Sequence, residues 1–271
     1  MFKKNIDYKK IAKGIREKVL DMIYKAQTSH IGSNLSCIDI LTVLYFGIMK
    51  PEDKFILSKG WAAASVYAIL AKKGYFSQKD LEGYCKIGKK GKPVTHFLGL
   101  ISHKVKGVTC STGSMGHGLP IGVGMALAKK LNNKKGRIFV LLSDGEMDCG
   151  TTWESALFAS HHRLDNLIAF IDYNKFQACG RTNEVLKLEP LKEKWISFGW
   201  AVKEIDGHNF SEIERVLRKL PFKKDRPSII IAHTIKGKGI SFMEDRNEWH
   251  YWSIKKENYE KAITEFKKNI C

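Results

Sequence analysis

Arg137–Gly180, RIFVLLSDGEMDCGTTWESALFASHHRLDNLIAFIDYNKFQACG, decides the fold class. Ile138-Phe139-Val140-Leu141-Leu142 is an unbroken apolar run, the pattern of a strand buried on both faces in a parallel sheet. It stops at Ser143-Asp144-Gly145-Glu146, small and acidic residues at the strand's carboxyl edge. Thr152 to His162 has helical character, with Trp153, Ala156, Leu157 and Ser160 on one face. A second apolar run, Leu167-Ile168-Ala169-Phe170-Ile171, ends at Asp172-Tyr173-Asn174. The unit is strand, helix, strand, with oxygen-bearing side chains at both strand ends. In open parallel sheets ligands bind outside that edge.

Asp144 and Asn174 are 30 residues apart, the length of one βαβ crossover, which brings adjacent strand ends to one point. A carboxylate with an amide carbonyl suits a hard cation such as Mg²⁺, which takes its other ligands from phosphate and water. Gly145 lets backbone N–H groups approach a phosphate, and the helix N-terminus that follows favours negative charge. The bland alternative makes Asp144 a helix cap and Asn174 a turn residue. On residue types alone that alternative is preferred, since both are common punctuation.

The whole string changes the balance. It resembles the thiamine-diphosphate motif, Gly-Asp-Gly followed by a later Asn, in its transketolase version, with Trp-Glu-Ala, Leu-Asp-Asn-Leu and Asp-x-Asn matched without gaps. Ser143 stands where the first Gly is usual. The resemblance implies an α/β fold: a parallel sheet flanked by helices, of the thiamine-diphosphate-binding type. It implies thiamine diphosphate and Mg²⁺ as cofactors, with Ca²⁺ or Mn²⁺ as admissible substitutes. Asp144, Asn174 and the Phe176 carbonyl would hold the metal, with Gly145 and Glu146 beside the diphosphate.

Working outward, residues 6 to 27 carry an apolar stripe (Ile11, Ile15, Val19, Met22, Ile23, Ala26) with helical spacing. The helix is expected to end near Thr28-Ser29-His30, with Gly32 as its breaker. Ser36 is expected to cap a second helix carrying Ile38, Leu41, Leu44 and Tyr45. SHIGSNLS resembles the family's Ser-Gly-His-x-Gly-x-x-Leu-Ser, which places His30 at the reacting carbons. Phe55-Ile56-Leu57 reads as a short strand. SKGWAA after it resembles Ser-Lys-Gly-His-Ala-Ala, with Trp61 in place of a His that faces the cofactor and substrate; Trp offers one N–H donor and no titratable proton.

Residues 77 to 107 read as an irregular connection with Ser77 as a cap. Within it His96 matches a Gly-His-Pro histidine as a substrate or cofactor contact, and His103 reads as surface. CSTGSMGHGLPIGVGMALAKKL is a glycine-rich turn and an apolar helix. By resemblance Gly113, Ser114 and Met115 pass the aminopyrimidine ring, and His117 replaces a Gln. A dinucleotide fingerprint is the weaker reading, for no strong strand precedes the glycines and no acidic partner follows.

Further on, Trp200 to Ile205 and Ser228 to Ala232 read as strands, and Asp206-Gly207-His208-Asn209 as a mainly structural turn. Lys236 lies past a strand end near the expected diphosphate. His250, in Trp249-His250-Tyr251, matches a histidine that faces diphosphate and substrate, while Tyr251 replaces a Gly. Glu154 matches a carboxylate at the family's subunit interface; its usual companion is Cys149 here. Asn258 to Asn269 reads as an amphipathic helix with a basic face.

The composition agrees with this. At 271 residues and 44% apolar content the chain can bury a full core, and it reads as one thiamine-diphosphate-binding domain over residues 1–271. No apolar run reaches the length of a membrane span, and MFKKNIDYKK lacks a signal-peptide core. Six scattered cysteines (Cys37, Cys85, Cys110, Cys149, Cys179, Cys271) without a C-x-x-C pair fit free thiols in a cytoplasm. The formal charge of +18 is spread over Lys doublets, Lys3-Lys4 to Lys223-Lys224, rather than gathered in one tract, so nucleic-acid binding is not favoured.

The resemblance spans residues 10 to 255, matching only the amino-terminal part of a full-length family member. The family's pyrimidine-binding domain supplies the Glu that activates the cofactor, aromatic residues and sugar-phosphate-binding arginines. The expectation is therefore a separate C-terminal transketolase-type subunit, two copies of each chain, and catalytic roles for His30, His96 and His250. The expected substrates are phosphorylated or nucleotide-linked sugars exchanging a two-carbon ketol unit. Another thiamine-dependent acyl or ketol transferase is the second reading, and a scaffold without turnover the third.

Overall fold

The structure, a computed structural model, describes residues 6–268; the Lys3-Lys4 doublet, Asn269 and Cys271 lie outside the described residues. The helices and strands are, in chain order, α1 Tyr8–Ala26, α2 Ile31–Ser36, α3 Ile38–Val43, β1 Lys54–Leu57, α4 Ala63–Lys72 and α5 Gly118–Leu131. Then come β2 Ile138–Ser143, α6 Gly150–His161, β3 Leu167–Tyr173, α7 Thr182–Val185 and α8 Leu191–Ser197. The last are β4 Ala201–Asp206, α9 Phe210–Leu217, β5 Ser228–His233 and α10 Lys256–Lys268.

The strands form one sheet in the order β1-β2-β3-β5-β4, every pair parallel. Residue alternation along the apolar runs splits the core. Phe139 and Leu141 of β2 and Ile168 and Phe170 of β3 face one layer, with α1, α3, α4 and α9. Ile138, Val140 and Leu142 face the other, with α5, α6 and α8. A strand covered on both faces has no polar alternation, which is why these runs are continuous. β1 and β4 are the edge strands, and the exposed Lys203 and Glu204 of β4 put charge where another strand would otherwise pair.

Two local expectations change. Gly32 does not break a helix; it lies inside α2, because a Cβ there would come 2.9 Å from Lys236 Cγ and the helix needs that close approach. Ser36 does not cap α3; it ends α2 and its hydroxyl donates to Asp172 at 2.5 Å. Leu157 on α6 is 60% exposed, and Phe158 beside it is 44% exposed. The irregular connection after α4 is confirmed, with Ser77 capping a short 3₁₀ turn reciprocally with Asp80.

Candidate active site

The sheet register places the central motif. Ser143 pairs with Asp172, so the ends of β2 and β3 are level and Asp144 lies beside the chain leaving β3. Asp144 is buried and accepts the Lys175 N–H at 2.7 Å and the Gly145 N–H at 3.0 Å. Asn174 turns its amide oxygen to the Phe176 N–H at 3.1 Å, which leaves that oxygen a second lone pair. Both line a cavity of about 330 Å³ at the carboxyl edge, together with Gly145, Phe176, Ser114, Met115, His30, Trp61 and His250. The size falls in the range of small-molecule sites. Two strand ends 30 residues apart in sequence thus open into one pocket.

The electrostatics of Asp144 suit a cation. Burial, and then the neighbouring Asp172 charge, push its carboxyl up to about 7. Among the described residues no three His, Cys, Asp or Glu side chains cluster as a metal cage. The donors at this point are one carboxylate and one amide oxygen, a set that fits Mg²⁺ with its remaining ligands from backbone, phosphate and water. Gly145 leaves the cavity floor open: a Cβ there would meet Met115 Sδ at 3.6 Å and Gln177 Cγ at 3.7 Å, both ordinary contacts. Its lack of a side chain therefore answers to space in the cavity, and not to packing against backbone.

A buried ion pair underlies this floor. Lys59, just past β1, donates to Asp172 and to the Ser33 carbonyl (2.8 Å). Asp172 also accepts from Ser36 and Thr234, and Asn174 Nδ2 lies 3.4 Å from the same carboxylate. Although burial opposes it, the Lys59 cation and these donors hold the Asp172 carboxyl below the usual carboxylate range. The ends of β1, β3 and β5 and helix α2 are thereby tied to one point.

The opposite wall is aromatic. His30 sits in the left-handed region (φ 71°), rare for a residue with a side chain. Its N–H donates to the His250 carbonyl (2.8 Å) and its carbonyl accepts from Asn34 Nδ2 (2.9 Å), which hold it there. The imidazole stacks on Trp61 with ring centroids 4.7 Å apart and planes 5° from parallel, and it meets His250 edge-on at 4.7 Å. Burial, and then the Lys236 cation, lower His30 to about 4. His250 falls to about 3, through burial and then the Lys236 and His30 charges.

Lys236, fully buried, reaches Asn247 Oδ1 at 2.9 Å and His250 Nδ1 at 3.0 Å, with its Nζ 5.4 Å from the centre of the Phe176 ring. An ammonium can only donate, so His250 Nδ1 accepts and the ring proton resides on Nε2. The sequence put Lys236 near a diphosphate; the structure sets it behind His250. Asp206-Gly207-His208 helps to hold this segment: His208 Nε2 accepts the Ile235 N–H (2.9 Å), while its Nδ1 meets Asp39 (2.8 Å), which also takes both arms of Arg16.

The thiamine diphosphate binding domain of transketolase, as a family, matches residues 7–269. The chain belongs to the transketolase family. It is 37% identical over 266 residues to an apulose-4-phosphate transketolase subunit of Phocaeicola vulgatus, covering 94% of this chain and 92% of the relative. It is 39% identical over 277 residues to the 6-deoxy-6-sulfo-D-fructose transketolase subunit SqwG of Clostridium sp. (strain MSTE9), covering 99% of each. The transketolase structure from Campylobacter jejuni superposes with a TM-score of 0.87 at 30% identity, over 97% of this chain but 43% of that one. The chain thus spans most of the length of these curated subunits and less than half of that solved transketolase.

Four residues that the sequence assigned to the cofactor or substrate, Glu146, His96, Gly113 and Lys236, are not in the cavity lining. Glu146 is buried and turned inward, accepting from Ser58, from the Gly116 N–H (2.8 Å) and from the Ser143 N–H (2.8 Å). It ties the glycine-rich loop to the ends of β1 and β2 and has no face left toward the cavity. His96 is exposed, and the cavity lining does not include it. Gly113 lies behind Ser114 with φ 134°, where a Cβ would come 2.6 Å from Leu100 Cδ2. Met115, 41% exposed, leans over Gly145. Sequence reasoning missed Lys59 and Ser33 at the floor and Gln177 and Cys179 at the rim. The Ser-Lys-Gly string contained Lys59, but nothing in it marked that lysine as buried.

Proposed function

We propose that this chain is the thiamine-diphosphate-binding subunit of a two-component transketolase, transferring a two-carbon ketol unit from a ketose donor to an aldehyde acceptor. The observation that carries the reading is the convergence of Asp144 and Asn174, at paired strand ends, on a cavity whose other wall is His30, Trp61 and His250. Asp144, Asn174 and the Phe176 carbonyl would hold Mg²⁺, or Ca²⁺ or Mn²⁺ in its place, against the diphosphate. Thiamine diphosphate supplies the carbanion that makes ketol transfer possible. His250, with its proton fixed on Nε2 by Lys236, offers a donor to a substrate oxygen without carrying charge. His30 is likewise neutral at physiological pH, so neither imidazole places a charge beside the substrate.

The same reading makes residues 1–271 one diphosphate-binding domain and assigns the pyrimidine-binding domain to a separate polypeptide, two copies of each chain forming the enzyme. Leu157 and Phe158 on α6 and Ile121 on α5 support a partner, since exposed apolar side chains on neighbouring helices favour a covering surface. Glu154, exposed on the same helix, is placed to meet it. Two relatives are named for apulose-4-phosphate and 6-deoxy-6-sulfo-D-fructose, sugars with an anionic group, which supports a specialised anionic sugar here too. Five free cysteines among the described residues support a cytoplasmic setting.

Calorimetric titration of thiamine diphosphate with Mg²⁺, on the chain alone and with its partner polypeptide, tests the proposal. Binding that needs Mg²⁺ and the partner, followed by ketol transfer, is the expected result. No binding in either preparation would sink it.

A further inference from the structure

Residues 175–182 form a hairpin that leaves the end of β3. The Thr182 N–H donates to the Lys175 carbonyl (3.0 Å), the Gln177 N–H to the Gly180 carbonyl (2.8 Å), and Phe176 bridges Arg181. Phe176, Gln177, Ala178 and Cys179 of this hairpin line the cofactor cavity. A lone hairpin is marginal in water, so its position depends on what grips its outer half. Among the described residues, three hydrogen-bonded side-chain contacts reach residues 177–181 from outside the hairpin. Gln177 Nε2 donates to Asp148 (2.5 Å) and Arg181 pairs with Asp245 (2.7 Å), but both contacts are exposed, and solvent screening leaves them weak. The third is half-buried: Asn247 Nδ2 donates to the Ala178 carbonyl at 3.1 Å.

The Asn247 amide is used at both ends. Its Oδ1 accepts from Lys236 Nζ (2.9 Å), the ammonium that also donates to His250 Nδ1 (3.0 Å). These partners set the orientation of the amide, because an ammonium meets only its oxygen and a carbonyl only its NH₂. The segment that bears Asn247 is itself firmly seated: the Asp245 N–H donates to the Lys236 carbonyl (2.9 Å) and the Trp249 indole to the Phe242 carbonyl (3.2 Å). Resting on the metal assignment above, we propose that Asn247 is a positioning residue for cofactor binding. It ties the hairpin that follows Asn174 to the Lys236–His250 wall, so that the two sides of the cavity are held at one separation before a ligand arrives. Neither Asp nor Leu can replace it, since an aspartate has no donor for Ala178 and Leu offers nothing to either partner. A cavity edge ordered in advance lowers the entropic cost of binding.

Amide hydrogen exchange in the full chain without cofactor reads the tie directly, and calorimetry of thiamine diphosphate with Mg²⁺ on the assembled two-component enzyme reads its consequence. Asn247→Asp keeps an acceptor for Lys236 and loses the donor to Ala178. The Gln177 and Thr182 amides should then exchange roughly three- to ten-fold faster, and the cofactor should bind more weakly by a similar factor, as for the loss of one hydrogen bond. Asn247→Leu, which loses both ends, should loosen the hairpin at least as much. Asp245→Ala removes only the exposed pair and should change the exchange by less than about two-fold. The amides of β2 and β3 should keep wild-type protection in all three variants; a general loss of protection would make Asn247 a support of the fold alone and overturn the proposal. Wild-type exchange or wild-type cofactor affinity in Asn247→Asp, or equal loosening in Asp245→Ala, overturns it too. Should the wild-type assembly bind no cofactor, the metal assignment fails; the exchange arm then decides whether Asn247 holds the hairpin, and unchanged exchange in Asn247→Asp overturns the tie as well.

Discussion

Replacing Lys59 by Met removes the cation from beneath the site while keeping the length of the side chain. In the wild-type protein Asp172 has its carboxyl held low, so it contributes stability above its unfolded value near 4 and loses it as pH falls through the lower folded value. Without Lys59 the carboxylate is fully buried with only Ser36, Thr234 and Asn174 as donors. Breaking a buried pair by removing one partner costs about 3–5 kcal/mol. A ceiling exists, because the variant can instead bind a proton. Protonating a carboxyl of ordinary pKa at pH 7 costs about 4 kcal/mol, at roughly 1.4 kcal/mol per pH unit. The expected loss is thus about 3–4 kcal/mol at pH 7, shrinking toward pH 4. Urea unfolding followed by tryptophan fluorescence at pH 5, 6, 7 and 8 measures it. Lys59→Met/Asp172→Leu should recover most of the stability, since replacing both members of a buried pair by apolar groups is often neutral. A loss below about 1 kcal/mol, or one that does not change with pH, would refute the reasoning.

Asp144→Ala should abolish Mg²⁺-dependent binding of thiamine diphosphate in calorimetry while circular dichroism shows an unchanged fold; normal binding would remove Asp144 from the metal site. Lys236→Met should let the His250 imidazole titrate at a higher pH than in the wild-type protein, because burial and then the Lys236 charge hold it near 3; an unmoved imidazole resonance in NMR titration would contradict this. Both site histidines have folded values below the ordinary imidazole value, so the unfolded chain binds protons first as pH drops from about 6.5 toward 4. Stability should therefore fall across that window, and less steeply in His30→Phe, which denaturant midpoints at each pH would show. Gly60→Ala puts a Cβ 2.5 Å from the Thr112 carbonyl and 3.0 Å from Gly113 Cα. Backbone cannot swing aside as a side chain can, so a loss of about 1–3 kcal/mol in thermal unfolding is expected, with weaker cofactor binding.

The sequence by itself determined the parallel sheet and the position of the site. Continuous apolar runs ending in Ser143-Asp144 and Asp172-Tyr173-Asn174 specify buried parallel strands, and a βαβ crossover of that length pairs them. These are local signals, repeated along one segment, and they need no knowledge of distant contacts. The face that Leu157 shares with Trp153 and Ala156 was legible, but its exposure was not, because periodicity finds an apolar face without telling which surface covers it.

Only the tertiary structure decided which charged groups are buried and where they point. Lys59 and Asp172 are 113 residues apart, and a lysine beside a glycine carries no mark of being an interior cation. Lys236 and Gly32 approach each other across most of the chain, so the glycine read as a helix breaker when it is a contact. Glu146 and His96 matched a motif, yet one turns inward to bind three segments and the other stays in solvent. The physical reason is common to these cases. Burying a charge is costly unless its partner arrives at the same point, and that arrival is fixed by chain crossings that no single stretch of sequence contains.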